Sequence, residues 1–379
     1  MDRNIIHLDL DTFFVSVERL LNSRLNGLPV IIGGLSDRGV VAGCSYETRR
    51  FGVHSGMPMK MAKSLCSDAI FIRGDMDSYS KYSRLVTDIV AESAPLYEKA
   101  SIDEHYIDMT GMDRFHNTRK WAHELREKII RESGLPISLG LSVNKIVSKI
   151  ATGEAKPNGE RVVDLPQIHD FLDPLSVSKI PMLGKETARK LMRMGVFDIR
   201  TLRLMPQEML GFVFGQNGDL LWKRANGIDH SPVIQYSESK SISTETTFET
   251  DTTDVEMLRA VLISMTEKIA FQMRKKQKLT GVVTVKIRYS DFDTHTMQKR
   301  VSYTSFDHIL IKTSLDLFQR LYSRRVLVRL IGVKFSGLIN GVQQLNMFED
   351  SDEMVNLYQA MDRIRIRFGA KAVRRAING

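Results

Sequence analysis

The chain is short of cysteine and of long apolar runs, and each shortage excludes a class of protein. Cys44 and Cys66 are the only cysteines among 379 residues. They are too few for a disulfide framework and lack metal-ligand spacing. No apolar run approaches the length of a membrane span, and the N-terminus enters a strand-like run almost at once, without a signal peptide. We therefore expect a cytoplasmic protein with reduced thiols and no membrane contact.

Acidic residues are outnumbered by basic ones, which gives a formal net charge of +9. This surplus favours an anionic partner such as nucleic acid. A hydrophobic content of 42% and a charged content of 26% are ordinary for folded soluble proteins, so the chain should fold. Its length exceeds what one hydrophobic core can hold, and we expect two to four domains.

An adjacent acidic pair, Asp103 and Glu104, stands between two short strand-forming runs. Neighbouring residues of a regular strand point to opposite faces. The two carboxylates can therefore act together only if the chain bends beside them, as at the tip of a hairpin. Asp9 ends another strand-like run, residues 4–9. Three carboxylates on converging strand ends would form a site for two divalent cations.

Other side chains near these strands suit a triphosphate, although each has a plainer interpretation. Phe13 and Phe14 begin a helical pattern after the first strand, and core packing would explain them as well. Tyr46 and Arg49 are three residues apart and share a helical face. A phenol and a guanidinium can both donate hydrogen bonds to phosphate oxygens. An exposed surface turn would explain these two residues equally well. Lys156 begins a turn and should be presented rather than buried.

Strands alternate with helices up to about residue 165, which predicts a small α+β sheet layered by helices on one side. Amphipathic patterns predict helices over 78–94 and 117–133. Beyond residue 166, the pattern over 180–191 resembles a helix-hairpin-helix. Gly184 and Lys185 would begin its second helix, where backbone N–H groups can bind a DNA phosphate. An ordinary αα-turn is the alternative.

A polar segment precedes a second region of mixed helices and strands. Residues 241–341 carry 16 Lys/Arg against 10 Asp/Glu, so most of the surplus positive charge lies here. We expect this region to contact the DNA backbone, although a charge run is more often a solvated face. The residues that we expect to make these contacts are Lys275, Lys276, Arg324 and Arg325.

The end of the chain contains a short apolar motif. Gln344, Leu345, Met347 and Phe348 could enter a hydrophobic pocket of a partner as an extended peptide. A basic, helix-like stretch follows at Met361–Ile377.

Four stretches, taken together, resemble the Y-family of translesion DNA polymerases. They are Leu8–Phe14, Ser45–Val53, Ser101–Glu104 and Ala155–Gly159, and they follow the family's order. The resemblance extends over nearly the whole chain. Each motif alone is weak evidence, but the four together are specific to this family.

The resemblance implies a multidomain α+β fold of the right-hand polymerase type. Its expected parts are a palm (1–10 and 75–165), small fingers (11–74), a helical thumb with the helix-hairpin-helix (166–230), a linker (231–242), a β/α/β little finger (243–341) and a tail with a sliding-clamp motif (342–379).

The resemblance also implies roles for individual residues. It makes Asp9, Asp103 and Glu104 the catalytic carboxylates and ligands of two Mg²⁺ ions, with the backbone carbonyl of Leu10 as a further ligand. It makes Phe14 a steric gate against the ribose 2′-OH. The other expected nucleotide contacts are Phe13, Tyr46, Arg49 and Lys156, and Gln344, Leu345, Met347 and Phe348 are the expected clamp contacts.

The implied activity is template-directed, Mg²⁺-dependent DNA synthesis past lesions, with low fidelity and no proofreading. The enzyme would act as a monomer on primer-template DNA, dNTP and a sliding clamp. Two positions depart from the family pattern: His105 replaces a small residue, and Gly43 replaces a hydroxyl residue that touches the triphosphate. His105 could lie against the primer terminus or pack internally. The alternatives are a nucleotide cyclase-like palm enzyme and a non-catalytic protein that binds DNA and the clamp.

Overall fold

The structure is a computed structural model that describes residues 3–112, 117–235, 238–324, 326–341, 352–369 and 372–373. The chain divides into two compact units, unit 1 (Met1–Ser237) and unit 2 (Glu238–Gly379). Cys44 and Cys66 are free and buried. Across the described ranges, no helix is long and apolar enough to span a bilayer.

Unit 1 contains eight strands and eleven α-helices within its described residues. The strands are β1 (Ile5–Leu10), β2 (Val30–Gly33), β3 (Val41–Cys44), β4 (Ile70–Ile72), β5 (Tyr97–Lys99), β6 (Glu104–Asp108), β7 (Ile137–Ser142) and β8 (Glu160–Val162). The helices are α1 (Phe13–Leu21), α2 (Tyr46–Arg49), α3 (Met59–Leu65), α4 (Met76–Ser93), α5 (Thr118–Ser133), α6 (Lys145–Ala155), α7 (Ile168–Leu172), α8 (Lys185–Arg193), α9 (Ile199–Leu204), α10 (Gln207–Phe214) and α11 (Gln216–Ala225).

The main sheet of unit 1 has the order β5-β6-β1-β7-β8, with β1 at its centre. Ile6, Leu8 and Leu10 of β1 pack with α1, α4 and α5 in one core. The opposite face is covered by α6, so the expectation of helices on one side only is wrong. Gly140 of β7 allows this second layer, because a Cβ there would lie 2.1 Å from the Ser148 carbonyl oxygen of α6.

Two smaller substructures complete unit 1. The order of the second sheet is β3-β2-β4, and it has a small core of its own. The sequence predicts only its first two strands, because β4 has just three residues. Helices α7 to α11 form a separate core together with apolar residues of α6, which agrees with the change of composition near residue 166.

Unit 2 is a four-stranded antiparallel sheet with helices. Its elements are β9 (Ser241–Thr252), α12 (Val255–Lys275), β10 (Lys278–Tyr289), β11 (Thr294–Thr304), α13 (Asp307–Leu321), β12 (Val328–Asn340) and α14 (Asp352–Phe368). The sheet order is β11-β10-β12-β9, and α12 and α13 pack on one face. Strand β9 is absent from the sequence-based prediction because it is an edge strand and mostly polar.

The end of the chain differs from the prediction in its helix bounds. The basic stretch Met361–Ile377 is not an independent helix, because α14 already begins at Asp352 and ends at Phe368. Within unit 2, Arg274 of α12 binds Asp362 of α14 through two hydrogen bonds of 2.7 and 3.0 Å. The expected clamp contacts Gln344, Leu345, Met347 and Phe348, and the expected DNA contact Arg325, lie outside the described residues.

Candidate active site

Strand pairing brings the predicted carboxylates to one end of the main sheet. Asp9 of β1 lies directly opposite Glu104 of β6, so the two side chains share one face. Asp103 occupies the turn between β5 and β6, as expected for a hairpin tip. The Leu10 N–H donates to the Asp103 carbonyl at 3.0 Å, which places those two backbones side by side.

The bend at Asp103 is held by a serine that sequence reasoning missed. The Ser101 hydroxyl donates to Asp103 Oδ1 at 2.5 Å and accepts from the N–H groups of Asp103 and Glu104 at 3.2 and 3.0 Å. Ser83 of α4 donates to the Ile102 carbonyl at 2.5 Å. Serine is a common turn residue because its hydroxyl bonds to nearby backbone groups, and this signal stands in the sequence two residues before Asp103.

Glu104 lies among cationic and polar neighbours on its face of the sheet. Lys149 Nζ of α6 is 2.6 and 2.5 Å from the two Glu104 oxygens, and His7 Nε2 is 3.8 Å from one of them. Burial raises the pKa of Glu104, but the contacts to His7 and Lys149 outweigh it and lower that pKa to about 2. Burial also lowers the pKa of His7 to about 4. Glu104 is therefore a carboxylate at neutral pH.

Asp9 forms an ion pair with Lys156, the residue predicted to contact a triphosphate. Burial, together with the nearby carboxylates of Glu104 and Asp103, raises the pKa of Asp9 to about 6 despite this lysine. Lys156 Nζ is also 3.8 Å from Asp11 Oδ1. Lys156 is thus part of the carboxylate cluster and only partly exposed.

The donor set at this sheet end fits divalent cations. Three carboxylates and a backbone carbonyl are hard oxygen donors of the kind that Mg²⁺ prefers. Lysine ammonium groups contact both Asp9 and Glu104, which shows that cations are attracted to these two carboxylates.

A second acidic cluster lies elsewhere on unit 1. Among the described residues, His123, Glu127 and Glu160 are the group whose potential ligand atoms lie within 4.8 Å of one another. All three are exposed, and Arg126 Nη1 lies 2.6 and 3.3 Å from the two glutamates. Arg126 already supplies their countercharge, so we assign no metal to this group.

Tyr46 and Arg49 share one face of α2, as their spacing predicts. The Arg49 guanidinium lies 4.9 Å from the centre of the Tyr46 ring, and the Ser45 side chain caps the helix N-terminus. The Tyr46 hydroxyl donates to Asp11 Oδ1 at 3.1 Å. Tyr46 therefore lies at the same end of the main sheet as the carboxylates, and the exposed Arg49 lies beside it.

The two phenylalanines at the start of α1 have different environments. Phe14 is half-buried, and its ring stacks on Tyr79 with a centroid distance of 4.5 Å and an interplanar angle of 23°. A Cβ at Gly43 would lie 3.3 Å from Phe14 Cδ2, so β3 passes close to this ring. Phe13 is only 3% exposed and belongs to the main core. Packing leaves the Phe13 ring little surface for a ligand, and the contact expected between Phe13 and a nucleotide stays a prediction.

His105 packs internally and does not face the carboxylates. It pairs with Leu8 of β1, so it lies on the face opposite Glu104. The side chain is fully buried, and Nε2 is 3.0 Å from the Thr87 hydroxyl of α4. Burial lowers the pKa of His105 to about 4. The imidazole therefore fills the space beneath the hairpin in its neutral form.

The predicted DNA contacts occupy three kinds of environment. Gly184 is the N-cap of α8 and has no side chain to satisfy the first N–H groups of that helix, and Lys185 follows in an exposed position. Lys275 and Lys276 are exposed at the end of α12. Arg324 instead binds Asp291 and Asp293 at 2.9 and 2.8 Å, so its charge is balanced within unit 2.

Sequence reasoning missed a basic surface on the sheet of unit 2. Val283, Val285 and Ile287 of β10 face the core beneath α12 and α13. The alternate residues face the other way, and strand register brings together on that face Lys286 of β10, Arg300 of β11 and Lys334 of β12. We call these three residues the open-face cations. Lys286 Nζ is paired with the Glu245 carboxylate at 2.8 and 3.1 Å, whereas Arg300 and Lys334 are exposed. They come from three strands, so no run in the sequence signals them.

Comparisons with known proteins agree with this architecture. Two family models match: the impB/mucB/samB family over residues 8–153, and the impB/mucB/samB family C-terminal domain over residues 239–347. A DNA polymerase IV of Dehalococcoides mccartyi is 39% identical over 375 residues, which cover 98% of this chain and 96% of that protein.

Two solved structures are also similar. The "Y-family DNA polymerase chimera Dbh-Dpo4(243-245)-Dbh" has a TM-score of 0.79 at 28% identity, and the match covers 89% of this chain and 100% of that one. The "Insertion ternary complex of Dbh DNA polymerase" has a TM-score of 0.64 at 27% identity with the same coverage. The α+β fold with palm, small fingers, helical thumb and little finger is confirmed, and the chain belongs to the Y-family of DNA polymerases.

Proposed function

We propose that this protein extends a primer on a template strand with deoxynucleoside triphosphates and copies past damaged bases with low fidelity. The observation that carries the proposal is the pairing of Asp9 with Glu104, and the turn that presents Asp103 beside them, in a Y-family chain. Asp9, Asp103, Glu104 and the Leu10 carbonyl would hold two Mg²⁺ ions. Such ions stabilise charge on the attacking and leaving oxygens of an in-line displacement.

The chain's own side chains bind and orient the nucleotide in this proposal. Tyr46, Arg49 and Lys156 supply a phenol, a guanidinium and an ammonium, all of which can donate to phosphate oxygens. The Phe14 ring, supported by Tyr79, occupies the position where we expect the sugar, and it would exclude a 2′-OH.

We assign the parts of the polymerase with the boundaries predicted from the sequence. The palm is formed by 1–10 and 75–165, the fingers by 11–74, the thumb by 166–230, and the little finger by 243–341 after the linker 231–242. The small three-stranded sheet of the fingers has few residues with which to enclose a base pair. This supports tolerance of distorted templates.

DNA binding would use the thumb and the little finger. The uncapped N-terminus of α8, at Gly184 and Lys185, suits a phosphate. Lys275 and Lys276 remain predicted contacts at the end of α12. To these we add Arg300 and Lys334, the two exposed open-face cations, because exposed cations on a sheet face can follow a nucleic-acid backbone.

Removing Arg300 and Lys334 together should weaken primer-template binding uniformly across sequences. Both side chains are exposed on the open face. Each lost phosphate contact lowers the slope of log K against log[salt] by about 1, so we expect a decrease of about 2. Fluorescence anisotropy over a salt series measures the slope.

The matched control for this measurement removes two exposed cations from α5. Lys120 and Arg131 lie on a helix that packs against the sheet face opposite Asp9 and Glu104. Lys120→Ala combined with Arg131→Ala should leave the slope unchanged. An equal decrease in both double variants would mean that the open face has no special part in binding.

Product analysis tests the proposed reaction directly. With primed template, dNTP and Mg²⁺ we expect stepwise extension, on undamaged templates and on templates with a damaged base. A cyclic nucleotide formed without DNA would support the cyclase alternative, and bound DNA without any product would support the non-catalytic one. Extension that stops at every lesion would contradict translesion synthesis.

We further propose a cytoplasmic monomer that binds a sliding clamp. The clamp contacts would be Gln344, Leu345, Met347 and Phe348, on the strength of the sequence motif alone. The two free cysteines are compatible with a reducing compartment.

A further inference from the structure

A buried carboxylate lies beside the catalytic cluster without belonging to it. Asp11 is 1% exposed and follows β1 by one residue. Its backbone N–H donates to the Pro136 carbonyl at 2.9 Å, and its carbonyl accepts from the Ser16 hydroxyl at 2.7 Å. The backbone N–H and carbonyl of Asp11 are therefore both hydrogen-bonded, which fixes the position of its Cα and the start of its side chain.

The Asp11 side chain joins three separate parts of unit 1. Oδ1 accepts from the Tyr46 hydroxyl at 3.1 Å. Oδ2 accepts from the Ser138 hydroxyl of β7 at 2.8 Å and from the Asn158 backbone N–H at 2.5 Å. Lys156 Nζ lies 3.8 Å from Oδ1. One buried group thus contacts the fingers helix α2, the main sheet and the turn that carries Lys156.

Two of these partners are proposed triphosphate contacts. Tyr46 and Lys156 are 110 positions apart in the chain, yet both depend on the same carboxylate for part of their placement. Burial, with the Asp11 charge and hydrogen bond, raises the pKa of Tyr46 above its usual value. The phenol therefore keeps its proton and remains a donor.

We propose that Asp11 is a positioning residue for the nucleotide: it holds the Tyr46 hydroxyl and the Lys156 turn at a fixed separation that matches the triphosphate. This inference rests on the proposed roles of Tyr46 and Lys156. With only 1% of its surface exposed, Asp11 itself would touch neither the substrate nor the reacting atoms. Its loss should therefore weaken nucleotide binding more than the chemical step.

Asp11→Asn is the informative substitution because it keeps the size of the side chain. The Asn158 N–H can only donate, so the amide oxygen must take the place of Oδ2. The amide –NH₂ then faces the Tyr46 hydroxyl, which has to accept instead of donate. The negative charge near Lys156 is lost as well. The variant reverses the direction of one hydrogen bond and removes one negative charge, and it leaves no cavity.

Single-nucleotide incorporation by the full-length protein on primed DNA tests the inference. We expect Asp11→Asn to raise KM for dNTP about tenfold, the size of one charge-assisted hydrogen bond, with much less change in kcat and in DNA affinity. Tyr46→Phe removes the same hydrogen bond, so the double variant should lose less than the two single effects combined. Asp173→Asn is the matched control. Its carboxylate binds Arg203 in the helical part of unit 1, and KM should not change.

Each outcome of this experiment supports or overturns the inference. If Tyr46→Phe and Lys156→Ala raise KM but Asp11→Asn does not, the positioning role is wrong and the triphosphate site stands. If none of the three raises KM, the proposed triphosphate contacts themselves are wrong. A fall in kcat or melting temperature with unchanged KM would mean that Asp11 is merely structural. Should Asp11→Asn fail to fold, Ser138→Ala removes one donor to Asp11; a smaller rise in KM is then expected, and an unchanged KM would overturn the role.

Discussion

Asp103→Asn should abolish primer extension while leaving the protein folded and able to bind DNA. The amide still offers an oxygen to the Ser101 hydroxyl, which donates to Asp103 Oδ1 at 2.5 Å, so the bend should persist. What is lost is a negative charge at the proposed cation site. We expect a fall in incorporation rate on the order of 10³-fold or more, the scale found when a preorganised charge-stabilising group is removed. Single-turnover incorporation measures the fall.

A matched substitution on the same strand provides the control. Asp108 ends β6 at the opposite end of the strand, where its carboxylate lies 3.7 Å from Arg3. Asp108→Asn makes the same chemical change away from the site, and its incorporation rate should stay close to that of the unaltered protein. Comparable losses in the two variants would trace the effect to sheet stability and would remove Asp103 from the proposed catalytic set.

The carboxylates that we propose as catalytic could be selected from the sequence because their signals are local. Alternation in β1 indicates a strand that ends near Asp9, and an adjacent Asp-Glu pair requires a bend. The family motif then joins the two stretches. Pairing of Asp9 with Glu104 needs only that β1 and β6 be neighbours. Residues that are marked by a short-range pattern can therefore be proposed from the amino-acid sequence, and the pairing of Asp9 with Glu104 agrees with that proposal.

The other residues that we propose for function are brought together by contacts between distant parts of the chain. Asp11 binds Ser138 and Asn158, which are more than 120 positions away. Neither periodicity nor motif spacing marks such a contact. The contact depends on how β1 pairs with β7 and on where the turn after α6 lies. The open-face cations escape notice for the same reason, since strand register alone brings Lys286, Arg300 and Lys334 together.

Some features were hard to predict because two different environments share one sequence pattern. Phe13 and Phe14 are adjacent and chemically identical, yet Phe13 lies in the core and Phe14 at its edge. Strand β9 has the composition of a linker because one of its long edges is unpaired and its side chains are mostly exposed. The polar composition of a segment indicates that its side chains are exposed. Exposed side chains alone do not distinguish an edge strand from a loop.

Phe14→Ala should admit ribonucleotides that the unaltered protein rejects. The ring stacks on Tyr79, which in turn donates to Glu18 at 2.6 Å. The proposed gate therefore has support behind it, and the ring could not easily move aside for a 2′-OH. If the overlap costs roughly 3 kcal/mol, the preference for dNTP over the matching rNTP should fall by about 100-fold. The ratio of kcat/KM for the two sugars measures the fall.

The control for this prediction is Phe51→Ala, which removes a phenylalanine ring that is 58% exposed. Sugar selectivity should be unchanged in that variant. Phe14→Ala also removes packing, so a general loss of activity could accompany it. Such a loss would lower kcat/KM for both sugars, whereas loss of the gate raises kcat/KM for rNTP relative to dNTP. Unchanged discrimination in an active Phe14→Ala protein would place the gate elsewhere, with Gly43 and Tyr79 as the nearest neighbours to examine.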